Sequence, residues 1–406
     1  MLIYWIWFAE LKEISLLQKH RLLKHFHDPE ELYQTAQDVL ARLDLPEKQR
    51  LALQQKDLTG AEKILNSCIR KGIGVRPLAD TAYPGKLRNI SDAPLVLYYK
   101  GILPDWDSVP FVGIVGTRKA SAYGLQVAHQ LGSQIASGGG NVVSGCASGG
   151  DTAAMQGALD AGCPVFGVLG GGVDVVYPRS NRKLFEAVAN HGCLFSEYPP
   201  GAEPLPWHFL ERNRIISGIS SGVVIVEAPE KSGALNTAQH ALEQGRDVFA
   251  VPGNINTPAC AGSNALLREG AIAVLSGWDV LREYEFLYPG KLQKQPKTAL
   301  YTGEPSQLKI AQKSVAPEKT KQKSEIYEKI PIDNGRISTY SEINSSRPAL
   351  DDTQQAVLAQ LTRDPQETAA VIANLGMPSG VVLSAITMLT VKGLVVKHPG
   401  GRVSLK

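Results

Sequence analysis

Cysteine is scarce in this chain, with five in 406 residues, at positions 68, 146, 163, 193 and 260. The number is odd, the spacings are wide and no Cys-x-x-Cys pair occurs. That excludes a disulfide framework or a zinc ribbon and points to reduced thiols in a cytoplasmic protein. A long hydrophobic run is also missing. The greasy start, Met-Leu-Ile-Tyr-Trp-Ile-Trp-Phe-Ala, has no basic flank, and Glu10, Lys12 and Glu13 interrupt it short of the ~20 residues a membrane span needs. It is expected to be the first buried helix of a helical domain, with no membrane association. Nor is there a charge excess: 42 basic residues against 39 acidic ones leave a net charge of +3. An indiscriminate polycation is thereby excluded, and any anion binding has to come from local clusters. A hydrophobic content of 43% excludes wholesale disorder, and the length suits two to three domains.

What is present falls into four stretches. Residues 1–75 read as a small helical, SAM-like domain: Leu16, Leu17, Leu22 and Leu23 recur at helical spacing, and Asp28-Pro29-Glu30 has the form of a helix start. His25 and His27 lie here without a nearby carboxylate or cysteine partner, so no metal site is expected. Residues 76–288 form the second stretch. Short β-branched runs at 111–115, 141–144, 165–169, 193–196, 223–226 and 248–251 alternate with helical segments such as 123–137, 152–161 and 234–244. Continuous apolar strands alternating with helices predict an α/β fold, a Rossmann-like parallel sheet covered on both faces. Residues 289–348, with nine lysines between Lys291 and Lys329 and few large apolar residues, read as a flexible linker. Residues 349–406 read as three helices, at 351–361, 366–375 and 379–390, then a hairpin turning at Pro399-Gly400-Gly401. That is the pattern of a winged helix.

The 39 glycines gather at the ends of the expected strands: Gly113 and Gly116 after the first, Gly145, Gly149 and Gly150 after the second, Gly170-Gly171-Gly172 after the third, and Gly253 after the last. Ligands of an open parallel sheet sit beyond the carboxyl ends of its strands, where glycine lets backbone N–H groups approach an anion. Tight turns use glycine in the same way. No Gly-x4-Gly-Lys-[Ser/Thr] occurs, which argues against nucleotide triphosphate hydrolysis, and the first loop is not Gly-x-Gly-x-x-Gly, which argues against a dinucleotide. No cofactor is expected. Basic residues accompany the glycines instead: Arg118 and Lys119; Arg179, Arg182 and Lys183; Arg212 and Arg214. Several arginines in one glycine-lined groove suit several phosphates in a row. Tyr123, Tyr177, Phe185, Trp207 and Phe209 are interleaved with them and serve a core as well as a base-stacking platform.

Motifs in this order resemble a known family. Gly116-Thr117-Arg118-Lys119-Ala120-Ser121-Ala122-Tyr123-Gly124 is similar to a Gly-Ser-Arg loop followed by Ser and Tyr-Gly, and Ser144-Gly145-x-Ala147-x-Gly149-x-Asp151 to a Ser-Gly-x-Ala-x-Gly-Ile-Asp motif. Tyr177-Pro178-x-x-Asn181, Ser196-Glu197-x-Pro199, the run from Arg212-Asn213-Arg214 to Gly218, Ser232-Gly233 and Val251-Pro252-Gly253 follow. On these motifs, from Asp80 to Ala271, the chain resembles the DNA-processing protein A (DprA, or Smf) family. The resemblance implies single-stranded DNA binding without sequence preference, loading of a RecA-type recombinase in natural transformation and recombination, and homodimers. With the glycine-rich strand ends and their basic neighbours it gives a candidate DNA-binding set of Gly116, Thr117, Arg118, Lys119, Ser121, Ser144, Gly145, Gly149, Gly170, Gly171, Arg182, Lys183, Phe185, Arg212, Asn213, Arg214, Ser232 and Gly233, in which the resemblance implies Arg118 on the backbone and Arg182 and Phe185 as a basic and a base-stacking position. No catalytic residue is expected. Three positions depart from the pattern: Thr117 stands for Ser and keeps the hydroxyl, Gly150 stands for Ile, and Met155 stands where many members have His.

Two other readings use the same residues. Rossmann-type phosphoribohydrolases of the lysine-decarboxylase-like group cleave nucleoside monophosphates with a Gly-Gly-x-Gly-Thr-x-x-Glu motif; the corresponding stretch here starts at Ser232-Gly233 and has His240 at the glutamate position, with Glu243 a turn on. Such hydrolysis needs a carboxylate at the reacting centre. A sequence-specific regulator of duplex DNA needs base-reading side chains on its recognition helix, yet 379–390 contains no Arg, Lys, Asn or Gln, and the basic residues Lys397, His398 and Arg402 lie in the wing.

Overall fold

The computed structural model describes residues 2–294, 350–377, 379–398 and 402–406, which belong to two compact units, one up to residue 294 and one from 350. The first unit opens with six helices: α1 (Leu2–Glu10), α2 (Leu16–His25), α3 (Pro29–Gln34), α4 (Gln37–Ala41), α5 (Glu47–Gln54) and α6 (Thr59–Lys71). The greasy start is the buried helix expected, with Trp5, Ile6, Trp7 and Phe8 inside. Asp28 caps α3 by accepting a hydrogen bond from the Glu31 N–H, and Pro29 occupies the first helical position, where its missing N–H costs nothing. These helices share one hydrophobic cluster with the sheet that follows, so Trp5 and Phe8 belong to the same core as Tyr98 and Leu281.

The sheet has nine strands: β1 (Gly74–Pro77), β2 (Val96–Gly101), β3 (Phe111–Val115), β4 (Asn141–Ser144), β5 (Val165–Val168), β6 (Cys193–Ser196), β7 (Gly222–Ile225), β8 (Asp247–Ala250) and β9 (Ile272–Ala273). Their spatial order is β1-β2-β6-β5-β4-β3-β7-β8-β9. Strands β3 to β9 are parallel, and β2 joins β6 antiparallel with β1 outside it. The Rossmann-like core expected from the alternating pattern is present. The antiparallel pair β1 and β2 was not foreseen, and β1 spans the expected boundary at 75.

Helices α7 (Gly85–Arg88), α8 (Ala122–Ser137), α9 (Gly150–Asp160), α10 (Arg182–His191), α11 (Pro206–Ile219), α12 (Gly233–Glu243), α13 (Ala261–Arg268) and α14 (Gly277–Leu281) complete the unit. Alternation along β3 sends Val112 and Ile114 into the cluster shared with α8, α9 and the first six helices, and Phe111 and Val115 into a second cluster with α7, α11 and α12. Each such fully buried side chain contributes roughly 1.5–3 kcal/mol, which rigidifies the strand ends where the loops begin. Strands β3 to β6 build outward in one direction, and β7 then returns to the other side of β3. The order therefore reverses between β3 and β7, and a doubly wound sheet binds its ligand at such a reversal.

The second unit holds α15 (Asp352–Gln360), β10 (Gln366–Glu367), α16 (Thr368–Leu375), α17 (Ser379–Val391), β11 (Val395–His398) and β12 (Arg402–Leu405), with β12 central in its sheet. It is the three-helix and hairpin arrangement of a winged helix, with Gln366 and Glu367 in a short strand and not in the second helix. The expected turn at 399–401, and the expected linker from 295 onward, lie outside the described residues. Helix α17 leaves Val381, Leu383 and Met388 exposed. No described helix is long and apolar enough to cross a membrane.

Candidate nucleic-acid interface

A cavity of about 460 Å³ opens where the strand order reverses. Its lining comes from the end of β3 and the loop that follows, Val115 to Lys119; from Pro229 and the segment from Lys231 to Ala234; from Pro206, Phe209 and Leu210 of α11; and from Asp151, Arg212, Asn213 and Thr237.

The first loop is held by its own backbone and hydroxyl. The Thr117 N–H donates to the Glu227 carbonyl at 2.8 Å, the Gly150 N–H donates to the Thr117 carbonyl at 3.2 Å, and Thr117 Oγ1 accepts from the Lys119 N–H at 3.3 Å. With the backbone so fixed, Arg118 and Lys119 are exposed at the cavity wall. The Arg118 guanidinium stands 5.0 Å from the Phe209 ring centroid. Gly116 lets this loop touch the next, since a Cβ there would lie 3.3 Å from Gly150 Cα.

Helix N-termini attract anions, and two of those at the rim already hold one of the protein's own. At α8, Ser121 donates to the Glu227 carboxylate from its N–H at 2.8 Å and from Oγ at 2.6 Å, while its Oγ accepts from the Gly124 N–H. At α9, the Asp151 carboxylate accepts from the N–H groups of Gly116 (3.3 Å), Gly145 (3.1 Å) and Ala147 (3.4 Å). Burial pushes the Asp151 carboxyl above its ordinary range, against the pull of Arg212 and these three donors. The Ser-Gly loop expected to cradle a phosphate is therefore filled from within. Ser144 is buried and donates to the Ile114 carbonyl at 2.6 Å. Gly145 leaves room for the side chains of Arg212 and Asp151, and Gly149, at φ 83°, lets the chain pass against the Thr117 carbonyl. The third end, α12, is different. Ser232 Oγ accepts from the Ala234 N–H, Gly233 is exposed with open space around its Cα, and the first turn carries no acid. Lys231, exposed at the same end, was not singled out from the sequence, although a lysine directly before a helix start at a strand's carboxyl end is a readable signal.

Several expected positions are engaged within the protein or lie outside the cavity. Arg212 is 3% exposed, and its Nη1 donates to the carbonyls of Gly145, at 2.8 Å, and Val168. Arg214, also buried, pairs with Glu197 at 2.5 Å and with Asp92 at 3.4 Å. Asn213 Nδ2 donates to the Gly233 carbonyl and to Asn236 Oδ1, both at 3.1 Å. The expectation that both arginines grip phosphates is corrected: α11 from Arg212 to Ile219 is buried on every side, and its polar side chains fasten the loops to one another. Phe185 is corrected too. It is 4% exposed and packs with Leu184 and Val188, so its ring has no face for a base; Arg182 and Lys183 are exposed on the same helix but do not line the cavity. Gly170 and Gly171 are buried, and a Cβ would lie 3.1 Å from Phe209 Cδ1 at Gly170 and 3.0 Å from the Ala202 carbonyl oxygen at Gly171, so these glycines admit the protein's own groups and not an anion. Met155 is buried 3.6 Å from the Cys146 sulfur. His240 and Glu243 of α12 do not line the cavity, whose only carboxylate among the described residues is the fastened Asp151. Among the described residues no group of three or more His, Cys, Asp or Glu is placed to hold a metal ion.

The fold and cavity thus define a class: a doubly wound α/β core with a basic groove at its strand-order reversal, followed by a winged helix. Residues 75–285 match the family model of DNA recombination-mediator protein A, and residues 343–401 match that of the DprA winged helix domain. The chain is 43% identical over 221 residues to the DNA processing protein DprA of Bacillus subtilis, covering 54% of this chain and 74% of that one. It is 30% identical over 410 residues to the protein Smf of Synechocystis, covering 98% and 97%. The X-ray structure of DprA from Streptococcus pneumoniae superposes with a TM-score of 0.61 at 35% identity, over 70% of this chain and 98% of that one. The chain belongs to the DNA recombination-mediator protein A family, DprA/Smf.

Proposed function

We propose that this chain binds single-stranded DNA without sequence preference and helps load a RecA-type recombinase onto it, in homologous recombination and DNA uptake, acting stoichiometrically and not as an enzyme. The observation that carries the reading is the exposed trio Arg118, Lys119 and Lys231, all lining the groove, with Lys231 at the N-terminus of α12, whose first turn carries no acid. Three cations and a free helix end suit successive backbone phosphates, which are common to every sequence. Membership of a family of recombination mediators supports the second half of the reading. A homodimer would join two grooves and raise avidity for long strands.

The test is nucleation of a RecA-type filament on a single strand already coated with single-strand-binding protein, followed as the lag before recombinase ATP hydrolysis. The chain is expected to shorten the lag in proportion to its concentration, with Arg118→Ala impaired. An unchanged lag, or a full effect from trace amounts, overturns the proposal.

A further inference from the structure

Free nucleotides carry the same phosphates as a strand, so a groove at the strand-order reversal, where α/β sheets commonly hold nucleotides, has to refuse them. We propose that Asp151 makes this refusal: its carboxylate stands in for a nucleotide phosphate in an enclosed anion hole of the cavity and so restricts the groove to polymers; the inference rests on the groove binding single strands. Asp151 is 5% exposed yet lines the cavity. Its oxygens take backbone N–H groups from two loops, Oδ1 that of Gly116 and Oδ2 those of Gly145 and Ala147. Between the last two donors Cys146 takes the left-handed conformation, φ 54°, the kind of alternation that turns neighbouring N–H groups toward one anion. Asp151 also lies in the first turn of α9, where the partial positive charge of the helix end falls on it. Arg212, buried as well, adds a full charge. Gly145 makes room for both side chains, since a Cβ there would come within 2.6 Å of Asp151 Oδ2 and 2.5 Å of an Arg212 nitrogen. Converging backbone donors, a helix end and a buried arginine are the parts of a phosphate site.

An internal carboxylate in that place has two effects. It denies the hole to a phosphate, because two anions cannot share one set of donors. It also leaves phosphate binding to the exposed Arg118, Lys119 and Lys231 and the end of α12. An exposed cation holds a single anion weakly, since water competes and salt screens it. A mononucleotide therefore gains little, whereas a strand offers a row of phosphates and weak contacts add along it. Polymer is told from monomer without any base being read.

The experiment compares the full chain with its Asp151→Ala and Asp151→Asn variants. Alanine empties the hole and leaves its N–H groups and Arg212 without an anion, whereas asparagine removes the charge but keeps the space filled. Inorganic phosphate is expected to raise the melting temperature of Asp151→Ala by several degrees above that in chloride of equal ionic strength, and to leave wild type and Asp151→Asn unmoved. Thymidine monophosphate at millimolar concentration should displace oligothymidylate severalfold from Asp151→Ala, and from wild type no more than matched chloride does. A folded Asp151→Ala indifferent to phosphate overturns the inference. So does displacement of the strand from wild type beyond the salt effect, a result readable even where Asp151→Ala does not fold. A wild-type chain that binds no strand instead removes the groove reading, and the exclusion with it, whatever the melting data show.

Discussion

Arg118 and Arg212 both line the same groove, yet they should fail differently when removed. Arg118 is exposed at the wall. Losing one phosphate contact to a single strand lowers the slope of log affinity against log salt by about 0.7. Over a fourfold change in salt, from about 50 to about 200 mM, that slope makes the ratio of wild-type to Arg118→Ala affinity shrink by roughly 2.6-fold. Arg212 is buried beside Asp151 and holds the carbonyls of Gly145 and Val168. Its truncation leaves two carbonyls without that donor and a buried carboxylate without its compensating charge, a change that costs about 3–5 kcal/mol. Arg212→Ala is therefore expected to lower the melting temperature by several degrees. Its folded fraction should keep the wild-type salt slope. Fluorescence anisotropy with a labelled oligothymidylate across that salt range, beside a thermal melt of each variant, reads both effects. An unaltered slope for Arg118→Ala, or a reduced slope without loss of stability for Arg212→Ala, would refute the division between gripping and fastening arginines.

Two further outcomes follow from the packing. Gly170→Val places methyl groups against Phe209 and should cost about 1–3 kcal/mol in stability; a variant as stable as wild type in a thermal melt would sink the packing role of this glycine. Lys19 is buried against the Ala9 carbonyl at 2.6 Å, and burial pulls its pKa down to about 8. Between pH 8 and its unfolded value of about 10.4 the unfolded chain holds more protons, so wild-type stability should rise with pH relative to Lys19→Met, by about 3 kcal/mol in all. Urea unfolding of both proteins at pH 7.5 and 10.5 measures the difference, and a constant or falling difference contradicts the buried charge.

Much of the fold was legible because parallel strands covered on both faces leave unbroken β-branched runs, as at Val142-Val143 and Val223-Val224-Ile225. Strand β2, Val96–Gly101, carries an apolar run of the same kind but pairs antiparallel, outside the βα rhythm that identified the others. In the groove, Arg118 and Lys119 were legible because a glycine-flanked loop at a strand end exposes what it carries. Arg212 and Arg214 were not: they look alike in sequence, and only the coverage of α11 on all sides separates a buried arginine from an exposed one. The placement of Phe185 was available in the pattern. Leu184, Phe185 and Val188 share one helical face, while Arg182, Lys183 and Glu186 point to solvent. That Asp151 and Glu227 occupy two helix ends is a tertiary fact, since Glu227 lies far along the chain from the Ser121 it receives.

Phosphate contacts in the groove between β3 and β7 are the centre of the proposed single-strand binding. The most direct measurement is a competition titration of the full chain with single strands of unrelated sequence and with a duplex of equal length, repeated for the Arg118→Glu, Lys231→Glu double variant. Single strands are expected to bind alike and more tightly than duplex, and the double variant should lose binding to all of them while keeping its wild-type melting temperature. A duplex bound as tightly as the single strands, or a folded double variant that binds as wild type does, would contradict it.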